Sequence, residues 1–433
     1  MQVYLVGGAV RDRLLGREIR ERDFVVVGGT PEAMLTQGFQ KVGRDFPIFL
    51  HPHTHEEYAL ARSVRPSDHQ PGEVIYDASV TLEEDLARRD LTINAIAEDN
   101  QGQLIDPFGG CKDLHNRQLR HVSDAFCEDP VRILRIARFM ARYADLEFTI
   151  APETKQLIIQ MVQGGQLDKL VPERVWQELV GALGEHKPEY FFVTLRELGA
   201  LQRVFPEIDA LWGVPQPTRW HPEVDCAVHT LMALAAACGL SESLEVRFAA
   251  LTHDLGKGTT PERILPSHYG HYGHYGHYGH YGHYGHYGHY GHEGRGARLV
   301  EQLCYRLKAP ARFRELACRC ATYHGYLHRL YELQPKTILK LLMGLDAFRQ
   351  PQRLSDFVLV CQADFQGRDG FLQRPYPQAQ LLIQLYQVTS EVTSETVDTT
   401  LIGKLLGDAI RRERVVRIDR EMKKINLDSA VDR

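Results

Sequence analysis

The chain has 433 residues, 43% of them hydrophobic and 25% charged, and its formal net charge is −5. The length predicts about two to four domains, and the composition indicates a globular protein with no stretch near the ~18 apolar residues of a membrane span. The acidic balance excludes a general positive field, so any contact with nucleic acid must come from local basic patches.

The N-terminus and the cysteines favour a cytoplasmic protein. Arg11, Asp12 and Arg13 fall where the apolar core of a signal peptide would lie. Eight cysteines spread over a chain of this length do not indicate a disulfide framework. We therefore expect a cytoplasmic protein that does not use a membrane as a partner.

The first informative stretch is VYLVGGAVRDRLLGREIRERDFVVV, residues 3–27. Its apolar start predicts a buried strand, and a helical stretch follows Gly7 and Gly8. The two glycines let a phosphate approach the backbone, and the first amides of the helix then point at it. Arg11 lies in the first turns of this helix and can add a charge-assisted contact to the phosphate.

Two acidic residues precede the next apolar run, Phe24 to Val27. Glu21 and Asp23 are two positions apart, so in an extended chain they face the same side. Two carboxylates beside a phosphate-binding turn suit metal-assisted phosphoryl or nucleotidyl transfer. A strand–turn–helix with solvated acids explains the same residues, and this stretch alone leaves both interpretations open.

The segments up to residue 110 mix strands and helices. In IFLHPHTHEEYALAR, the alternation puts Glu57 and Ala59 on one face of a strand. Residues 63–79 are polar and interrupted by prolines and a glycine, so we predict a mobile loop there. Beyond about residue 111 the strand pattern fades and amphipathic helices follow. We therefore predict an α+β head followed by an all-helical remainder.

A basic helix is predicted in EDPVRILRIARFMAR, residues 128–142. Asp129 followed by Pro130 marks a helix start, and arginines then recur every third residue on one face. The ordinary interpretation is an amphipathic helix with a solvated basic stripe. A base-reading role is also coherent, because Asp129 can accept from the exocyclic amine of C or A while Arg132 donates to the adjacent ring nitrogen. U and G present the opposite pattern on that edge and would be rejected.

Residues 268–291 consist of eight identical HYG triplets. A period of three fits neither the helix period of 3.6 nor the strand period of 2, and the triplets contain no aliphatic residue to build a core. We therefore predict a mobile loop and interpret the triplets as a tolerated expansion. The eight imidazoles allow a second interpretation, the capture of Ni²⁺, Cu²⁺ or Zn²⁺ above about pH 6.5.

Six motifs in order resemble the bacterial CCA-adding tRNA nucleotidyltransferases that have a C-terminal HD domain. The motifs are GGAVRD, the acidic pair before FVVVG, EEYALAR, RRDLTINA, EDPVRILR and VPERVWQEL. The resemblance implies a polymerase-β-like nucleotidyltransferase head with a small mixed sheet, followed by an all-helical neck, body and HD tail. It also implies that CCA is added to the tRNA 3′ end from CTP and ATP with Mg²⁺.

The resemblance and the composition together predict five segments. They are a head at 1–110, a neck with the base-selecting helix at 111–150, a body at 151–211, an HD phosphohydrolase domain at 212–375 that contains the repeat, and a helical C-terminal tail at 376–433. The sequence leaves the oligomeric state open between monomer and homodimer.

The resemblance also implies roles for residues of this chain. The implied sets are Gly8 and Arg11 for phosphate; Glu21, Asp23 and Glu57 as catalytic metal carboxylates; Arg89, Arg135 and Arg138 for the nucleotide; and Asp129 and Arg132 for base selection. Glu21 departs from the family's pair of aspartates. Its extra methylene moves the carboxylate by about one bond length, at a site where the geometry of Mg²⁺ is strict.

Histidines later in the chain look like the pattern of HD metal-dependent phosphohydrolases. HTLMAL, LTHDLGKG and QADFQGRDG supply the implied ligands His229, His253, Asp254 and Asp364, and the same part of the chain contains His221, His324 and His328. Adjacent His and Asp offer a nitrogen and a carboxylate to one metal, a set suited to Ni, Co, Mn or Mg. The family's HD branch implies phosphatase, 2′,3′-cyclic phosphodiesterase and 2′-nucleotidase activities.

Other functions stay open on the sequence alone. A poly(A) polymerase of the same superfamily is one, although the HD tail and the absence of a long basic C-terminal extension argue against it. Another is an HD phosphohydrolase whose head is an impaired, RNA-binding module, an interpretation that rests on Glu21. For the tail itself, the alternative is a degenerate HD domain that only holds tRNA.

Overall fold

The computed structural model describes residues 1–19, 21–42, 48–67, 70–218, 221–261, 289, 291–397 and 400–431, with the backbone alone at 64–67, 70–74 and 425–431. These residues form two compact units, Met1–Leu170 and Val171–Arg433. This division is coarser than the five predicted segments, whose boundaries stay predictions, and it falls inside the predicted body. Most of the HYG repeat, and with it the predicted loop, lies outside the described residues.

The first unit is built on a mixed sheet. The described strands are β1 (Gln2–Val6), β2 (Asp23–Val27), β3 (Gln40–Lys41), β4 (Ile48–Leu50), β5 (Glu57–Leu60), β6 (Ser63–Ser67), β7 (Gln70–Ile75), β8 (Ala97–Glu98), β9 (Leu104–Ile105), β10 (Gln118–Leu119) and β11 (Thr149–Ile150). Seven of them form one sheet in the order β3-β4-β5-β2-β1-β8-β9, in which only β2 and β5 run parallel. Side chains alternate between its faces, so Val25 joins one apolar cluster and Val26 the other.

The prediction of a mobile loop at 63–79 is wrong for its first part. β6 and β7 pair as an antiparallel hairpin, with Ser63 opposite Ile75. The register shifts between Arg65 and Ser67, where Pro66 lies. In a two-stranded ribbon both strands are edges, so a residue without an N–H is tolerated. Prolines are strong evidence against a central strand, but not against this kind of ribbon.

The described residues of the first unit also form six α-helices. They are α1 (Gly8–Leu14), α2 (Pro31–Thr36), α3 (Leu82–Ala87), α4 (Gly110–His115), α5 (Val131–Arg142) and α6 (Pro152–Gln163). α5 is amphipathic as predicted, with Val131, Leu134 and other apolar residues buried on one side. The predicted all-helical remainder needs one correction, because β10 and β11 form a short parallel pair in this region.

The second unit contains helices and no strand among its described residues. The helices are α7 (Pro172–Leu183), α8 (Glu189–Glu197), α9 (Leu201–Val204), α10 (Pro206–Asp209), α11 (Cys226–Leu240), α12 (Leu244–Thr252), α13 (His292–Arg306), α14 (Ala311–His328), α15 (Pro335–Gly344), α16 (Pro351–Gln366), α17 (Pro377–Ser390) and α18 (Gly403–Val431). α11, α12, α14 and α16 pack against one another, and α18 lies against α15 and α17. Of the helices described, none is long and apolar enough to cross a membrane.

Candidate active sites

The glycine turn between β1 and α1 places an arginine beside the start of the helix. Gly7 has a φ of 69°, and a Cβ built on it would lie 2.8 Å from Nη1 of Arg89. Arg89 also donates to the carbonyl of Asn94 at 3.4 Å and faces Asp85 at 3.4 Å. Gly8 is the first residue of α1. The turn and Arg89 therefore form one corner that suits an anion, in the place where the sequence predicts a phosphate.

Asp23 and Glu57 lie side by side at the end of two strands. Asp23 opens β2, where it pairs with Val6 of β1 and with Glu57 of parallel β5. Residues paired in a sheet point to the same face, about 5 Å apart, so the two carboxylates can reach one ion. Glu21 lies just before β2 and is exposed.

The electrostatics of Asp23 favour a cation at this position. Partial desolvation raises the pKa of Asp23, Arg89 lowers it, and Glu21 raises it again, with a net rise. The charged carboxylate is therefore held at a cost, which a divalent cation between the acids would relieve. Carboxylate oxygens are the ligands that Mg²⁺ prefers, so the residues present fit that ion.

Arg11, for which the sequence predicts a phosphate contact, has protein partners. It is buried and donates from Nε to Asp12 at 2.9 Å and from Nη1 to Asn94 at 2.5 Å. Its guanidinium lies 5.1 Å from the ring centre of Phe139 and 5.7 Å from that of Tyr143. These contacts link α1 to α5, and the phosphate contact stays a prediction.

The two residues predicted to select the base, Asp129 and Arg132, lie just before and within the first turn of α5. Oδ1 of Asp129 accepts from the amide of Val131 at 3.2 Å, but the N-cap position of α5 is Pro130, so Asp129 lies one residue before the cap that its position predicts. Arg132 donates to the carbonyls of Ala125 at 2.9 Å and Arg88 at 2.5 Å. Since a guanidinium has five N–H donors, these two bonds orient it and leave donors for a base.

Arg135 and Arg138 continue the same face of α5. Arg135 donates from Nε to Asp90 at 2.7 Å, and Arg138 lies over the ring of Phe139 at 5.7 Å. Burial would raise the pKa of Asp90, but Arg135 and Asn94 outweigh it and lower that pKa to about 2. Asp90 therefore acts as a buried anion that holds Arg135 in place, a role that the sequence did not suggest.

Four helices of the second unit bring the HD residues together. His229 lies on α11, His253 and Asp254 directly follow α12, and Asp364 lies on α16. Nε2 of His229 is 3.0 Å from Oδ1 of Asp364 and 4.0 Å from Oδ2 of Asp254. Nε2 of His253 is 3.1 Å from Oδ2 of Asp254 and 3.7 Å from Oδ2 of Asp364. The four predicted ligands thus surround one point, and His328 of α14 contacts Asp364 at 2.6 Å.

The charges in this cluster suit a bound cation. Burial favours neutral His253, but Asp254 and Asp364 outweigh it and raise the pKa of His253 to about 9. Although burial alone would raise the pKa of each carboxyl, neighbouring cationic groups hold both well below their usual range. Among the described residues, the buried atoms of this cluster without a hydrogen-bond partner are Oδ1 of Asp254, Nδ1 of His229, Nε2 of His253 and Nε2 of His292. Mixed nitrogen and carboxylate donors of this kind fit a divalent transition metal.

Three further residues join this cluster, and only His324 among them was included in the sequence analysis. Nε2 of His292, the first residue of α13, lies 3.5 Å from Oδ1 of Asp254, and Nε2 of His324 lies 3.4 Å from the same oxygen. Lys257 lies 2.6 Å from Oδ2 of Asp254. A Cβ on Gly256 would lie 1.9 Å from the carbonyl oxygen of His292, so only glycine lets α13 come this close. In the sequence, Gly256 and Lys257 of the motif HDLGK were the available indication of these contacts.

Glu223 is a further residue that the sequence analysis missed. Its side chain is 2% exposed, and Oε1 lies 2.9 Å from Nδ1 of His221 and 3.0 Å from Nδ1 of His229. Burial, followed by the charge of Lys257, lowers the pKa of His221 to about 3. His221 therefore meets Glu223 as a neutral ring. Within the described part of the chain, three groups have donor atoms that could hold a metal. They are His221, Glu223 and His229; His229, His253 and Asp254; and Asp254, His292 and His324.

His289 and Gly291 of the last HYG triplet are described, and the contacts of His289 argue against a mobile loop at the C-terminal end of 268–291. His289 is buried, with Nδ1 2.8 Å from the hydroxyl of Thr260 and Nε2 3.0 Å from the carbonyl oxygen of Pro215. Its own carbonyl accepts from the amide of His292 at 3.0 Å. His289 therefore fixes the start of α13 and, through it, the position of His292.

Comparisons with known proteins assign the family. The family model described as Poly A polymerase head domain matches residues 3–120, "Probable RNA and SrmB- binding site of polymerase A" matches 147–211, and HD domain matches 227–349. The Multifunctional CCA proteins of Thioalkalivibrio sulfidiphilus (strain HL-EbGR7) and Teredinibacter turnerae (strain ATCC 39867 / T7901) are 54% and 53% identical to this chain, over 96% of it and 97% of each relative. The chain belongs to the multifunctional CCA proteins. The family resemblance read from the motifs is confirmed.

Membership of the multifunctional CCA proteins makes the chain an enzyme of a nucleotidyltransferase family with an HD domain. A solved CCA-adding enzyme, apo form II, has a TM-score of 0.63 at 19% identity and covers 99% of this chain and 92% of its own. The Thermotoga maritima CCA-adding enzyme complexed with tRNA_CCA has a TM-score of 0.59 at 17% identity, over 99% and 91%. These likenesses confirm the predicted fold class, a polymerase-like head followed by a mostly helical remainder.

Proposed function

We propose that this multifunctional CCA protein adds C, C and A to the 3′ end of tRNA from CTP and ATP, with Mg²⁺ held by Asp23, Glu57 and Glu21. The pairing of Asp23 with Glu57 across β2 and β5, beside the Gly7 turn, supports this most directly. The family relatives are named for CCA, and structural neighbours were solved with CTP and with tRNA. Since these substrates are tRNA, CTP and ATP, we propose a cytoplasmic enzyme.

In this proposal, different residues of the head bind the metal, the triphosphate and the base. Glu21, Asp23 and Glu57 would hold Mg²⁺, which would supply Lewis-acid chemistry to the tRNA 3′-hydroxyl and the leaving pyrophosphate. The amides at the start of α1 and the guanidinium of Arg89 hold the triphosphate. Asp129 accepts from the exocyclic amine of C or A, and Arg132, oriented by its two carbonyl bonds, donates to the ring nitrogen. Template-free selection of C and A follows from that one pair.

Extension of a tRNA transcript that lacks CCA tests this proposal. With CTP, ATP and Mg²⁺ the purified protein should lengthen the transcript by three nucleotides, and CTP alone should stop it after two. UTP and GTP should add nothing, and a chelator should abolish extension. A protein that binds the transcript and never extends it would support the alternative, an HD phosphohydrolase with an impaired head. A long tail made from ATP alone would support a poly(A) polymerase.

We also propose that the HD domain is a phosphohydrolase that uses Ni²⁺ or another divalent transition metal, held by His229, His253, Asp254 and Asp364. The convergence of these buried side chains on one point favours this over a domain that only holds tRNA. The proposed substrates are phosphate monoesters, 2′,3′-cyclic nucleotides and 2′-nucleotides. Hydrolysis of 2′,3′-cyclic AMP, 2′-AMP and p-nitrophenyl phosphate should appear after loading with Ni²⁺, Co²⁺ or Mn²⁺. If none of these metals supports hydrolysis, the HD domain is better explained as a module that only holds tRNA.

A further inference from the structure

Arg368 lies beside the four proposed HD ligands, and its guanidinium makes no hydrogen bond with any described residue. Its side chain is only 12% exposed, and Nη2 is 4.0 Å from Oδ1 of Asp364, which is beyond hydrogen-bonding range. Nε is buried without a hydrogen-bond partner. A guanidinium has five N–H donors, and leaving buried donors unpaired costs stability. The position of Arg368 therefore suits an anionic ligand that would accept from it.

Lys257, another cation of this cluster, is different because its donors are in use. Nζ of Lys257 lies 2.6 Å from Oδ2 of Asp254 and donates to Oε1 of Gln216 at 2.6 Å. Arg368 instead rests against the ring of Phe365, with Cζ 5.5 Å from the ring centre. Such a contact supports the guanidinium and uses none of its hydrogen-bond donors.

A role for Arg368 as the partner of Asp364 does not explain its position. Oδ1 of Asp364 lies 3.0 Å from Nε2 of His229, and Oδ2 lies 2.6 Å from Nε2 of His328. Both oxygens of this carboxylate thus have a nearer partner than the guanidinium. Arg368 is close enough to Asp364 to share its surroundings, and too far away to be held by it.

The main chain on both sides of Arg368 is fixed against the rest of the domain. A Cβ on Gly367 would lie 2.5 Å from the main-chain nitrogen and the Cα of Ala233, so glycine lets the end of α16 lie directly against α11. The amide of Asp369 donates to Oε2 of Glu223 at 3.3 Å. Because both neighbours are held in this way, the fold places Arg368 at the cluster before any ligand binds.

We propose that Arg368 is a phosphate-binding residue of the HD site, whose guanidinium donates to the phosphate group of the substrate. Arginine pairs with phosphate through short, charge-assisted and often bidentate hydrogen bonds. A divalent cation held by the cluster would offset the charges of Asp254 and Asp364, so that an anion is attracted to this place. The inference rests on the proposed hydrolase function for the identity of the substrate, but phosphate binding can be measured without turnover.

The first experiment measures the binding of inorganic phosphate to the full chain in the presence of Co²⁺, by isothermal titration calorimetry. The wild type should bind phosphate, and Arg368→Gln should bind it at least about tenfold more weakly, because a charge-assisted hydrogen bond is lost. Arg368→Lys keeps the charge without the planar fork and should fall between the two. Arg349→Gln, which changes an exposed arginine of the same unit, is the matched control and should match the wild type.

The second experiment separates phosphate binding from a structural role. In the hydrolysis of 2′,3′-cyclic AMP, Arg368→Gln should raise KM by about 10- to 100-fold and leave kcat within about threefold, since the proposed metal ligands are intact. Its affinity for Co²⁺, followed by visible absorption, should stay within about twofold of wild type. An arginine that only balanced the charge of Asp364 would change Co²⁺ affinity and leave KM as it is, and that result would overturn the inference.

The outcomes distinguish this inference from the hydrolase proposal. Phosphate binding that depends on Arg368, in a protein that hydrolyses nothing, would remove the hydrolase function and keep the anion site. Hydrolysis of 2′,3′-cyclic AMP with wild-type KM and phosphate affinity in Arg368→Gln would do the reverse. A wild-type chain that binds no phosphate would overturn the inference in either case. Melting checks the fold of each variant, and if Arg368→Gln does not fold, Arg368→Met, which keeps the stem against Phe365, decides in its place.

Discussion

The two candidate metal sites differ in the exposure and chemistry of the side chains that we propose as ligands. In the first unit, Glu21, Asp23 and Glu57 are exposed at the ends of strands and offer oxygen alone. In the second unit, Asp254 and Asp364 are 2% and 3% exposed and imidazoles surround them. Exposed oxygens suit Mg²⁺, which keeps waters and is completed by substrate phosphates. Buried nitrogens and oxygens suit a resident transition metal.

From this contrast we expect the two sites to prefer different metals. We expect the head site to need the phosphates of a nucleotide to complete its metal shell, whereas the buried ligands of the HD cluster already lie together. Changes in the head should therefore act on transfer alone, and changes in the HD cluster on hydrolysis and on stability.

The largest effect is expected for Asp23→Asn, which removes the charge and keeps the shape. CCA addition should fall at least about 10³-fold, since a lost metal ligand costs several kcal/mol of transition-state stabilisation. Hydrolysis of 2′,3′-cyclic AMP should stay unchanged. The control is Glu83→Gln, another exposed acid of the head. Retention of more than a tenth of wild-type transfer would remove Asp23 from the metal site.

The converse change is Asp254→Asn. Ni²⁺-dependent hydrolysis of 2′,3′-cyclic AMP should fall by about 10²-fold or more, because Asp254 contacts His253, Lys257 and His324 at once. CCA addition should stay within about twofold of wild type. Loss of both activities together would contradict the independence of the two sites, because it would mean that the head depends on the integrity of the HD cluster.

Base choice should respond to Asp129→Ala. Losing the acceptor should reduce discrimination against UTP by about 10- to 100-fold, the range for one good base-edge pair. The hydrogen bond from the amide of Val131 is lost as well, at a cost of about 1 kcal/mol in stability. The melting temperature of the variant must therefore be measured beside nucleotide incorporation. Asp124→Ala, an exposed acid in the preceding turn, is the control. Unaltered rejection of UTP in Asp129→Ala would mean that another group reads the base.

Stability of the metal-free chain should depend on pH through His253. Its pKa in the folded state, about 9, lies above the ordinary 6.5, so its contribution is complete below pH 6.5 and is lost as the pH rises toward 9. The loss should reach about 3 kcal/mol, and saturating Ni²⁺ should reverse the trend because it needs the deprotonated ring. Thermal melting between pH 6.5 and 9, with and without Ni²⁺, measures this.

That pH window isolates His253 from the other buried imidazoles. Burial lowers the pKa of His221 to about 3, and those of His289 and His292 to about 4, so their effects fall below pH 6.5 and have the opposite sign. In Asp254→Asn the slope above pH 6.5 should flatten. An unchanged slope in that variant would contradict the assignment to His253.

The smallest effect is expected for Glu21→Asp. Glu21 is exposed and outside β2, so its carboxylate can reach the ion by more than one rotamer. At limiting Mg²⁺ the rate of transfer should rise, by less than about fivefold, and at saturating Mg²⁺ it should match wild type. An unchanged or lower rate at limiting Mg²⁺ would show that this head has adapted to glutamate.

Much of both sites could be predicted because local patterns specify them. An apolar run, two glycines and a helix specify the turn at Gly7, and alternation places Glu57 on the strand that pairs with Asp23. The hairpin at 63–75 was not predicted, because proline is evidence against a central strand but is tolerated in an edge strand.

Residues that act through tertiary contacts were harder to find. Glu223 precedes α11 in a Pro-rich stretch, and only the fold brings it to His229. Asp90 likewise meets Arg135 from 45 positions away. His292 directly follows the HYG repeat, so nothing in the local sequence distinguishes it from the histidines of the repeat. The roles of these three residues depend on their burial and on the position of their partners in the fold, and residue spacing in the sequence reveals neither.

The boundary between repeat and fold has a consequence for how this gene can change. Slippage during DNA replication adds or removes whole copies of a nine-nucleotide unit. Wherever in the tract that happens, the copy adjoining Glu293 still reads His-Tyr-Gly-His, the stretch in which His289 and His292 make their contacts. Copy number can therefore drift between generations while the cluster around Asp254 inherits the same two imidazoles.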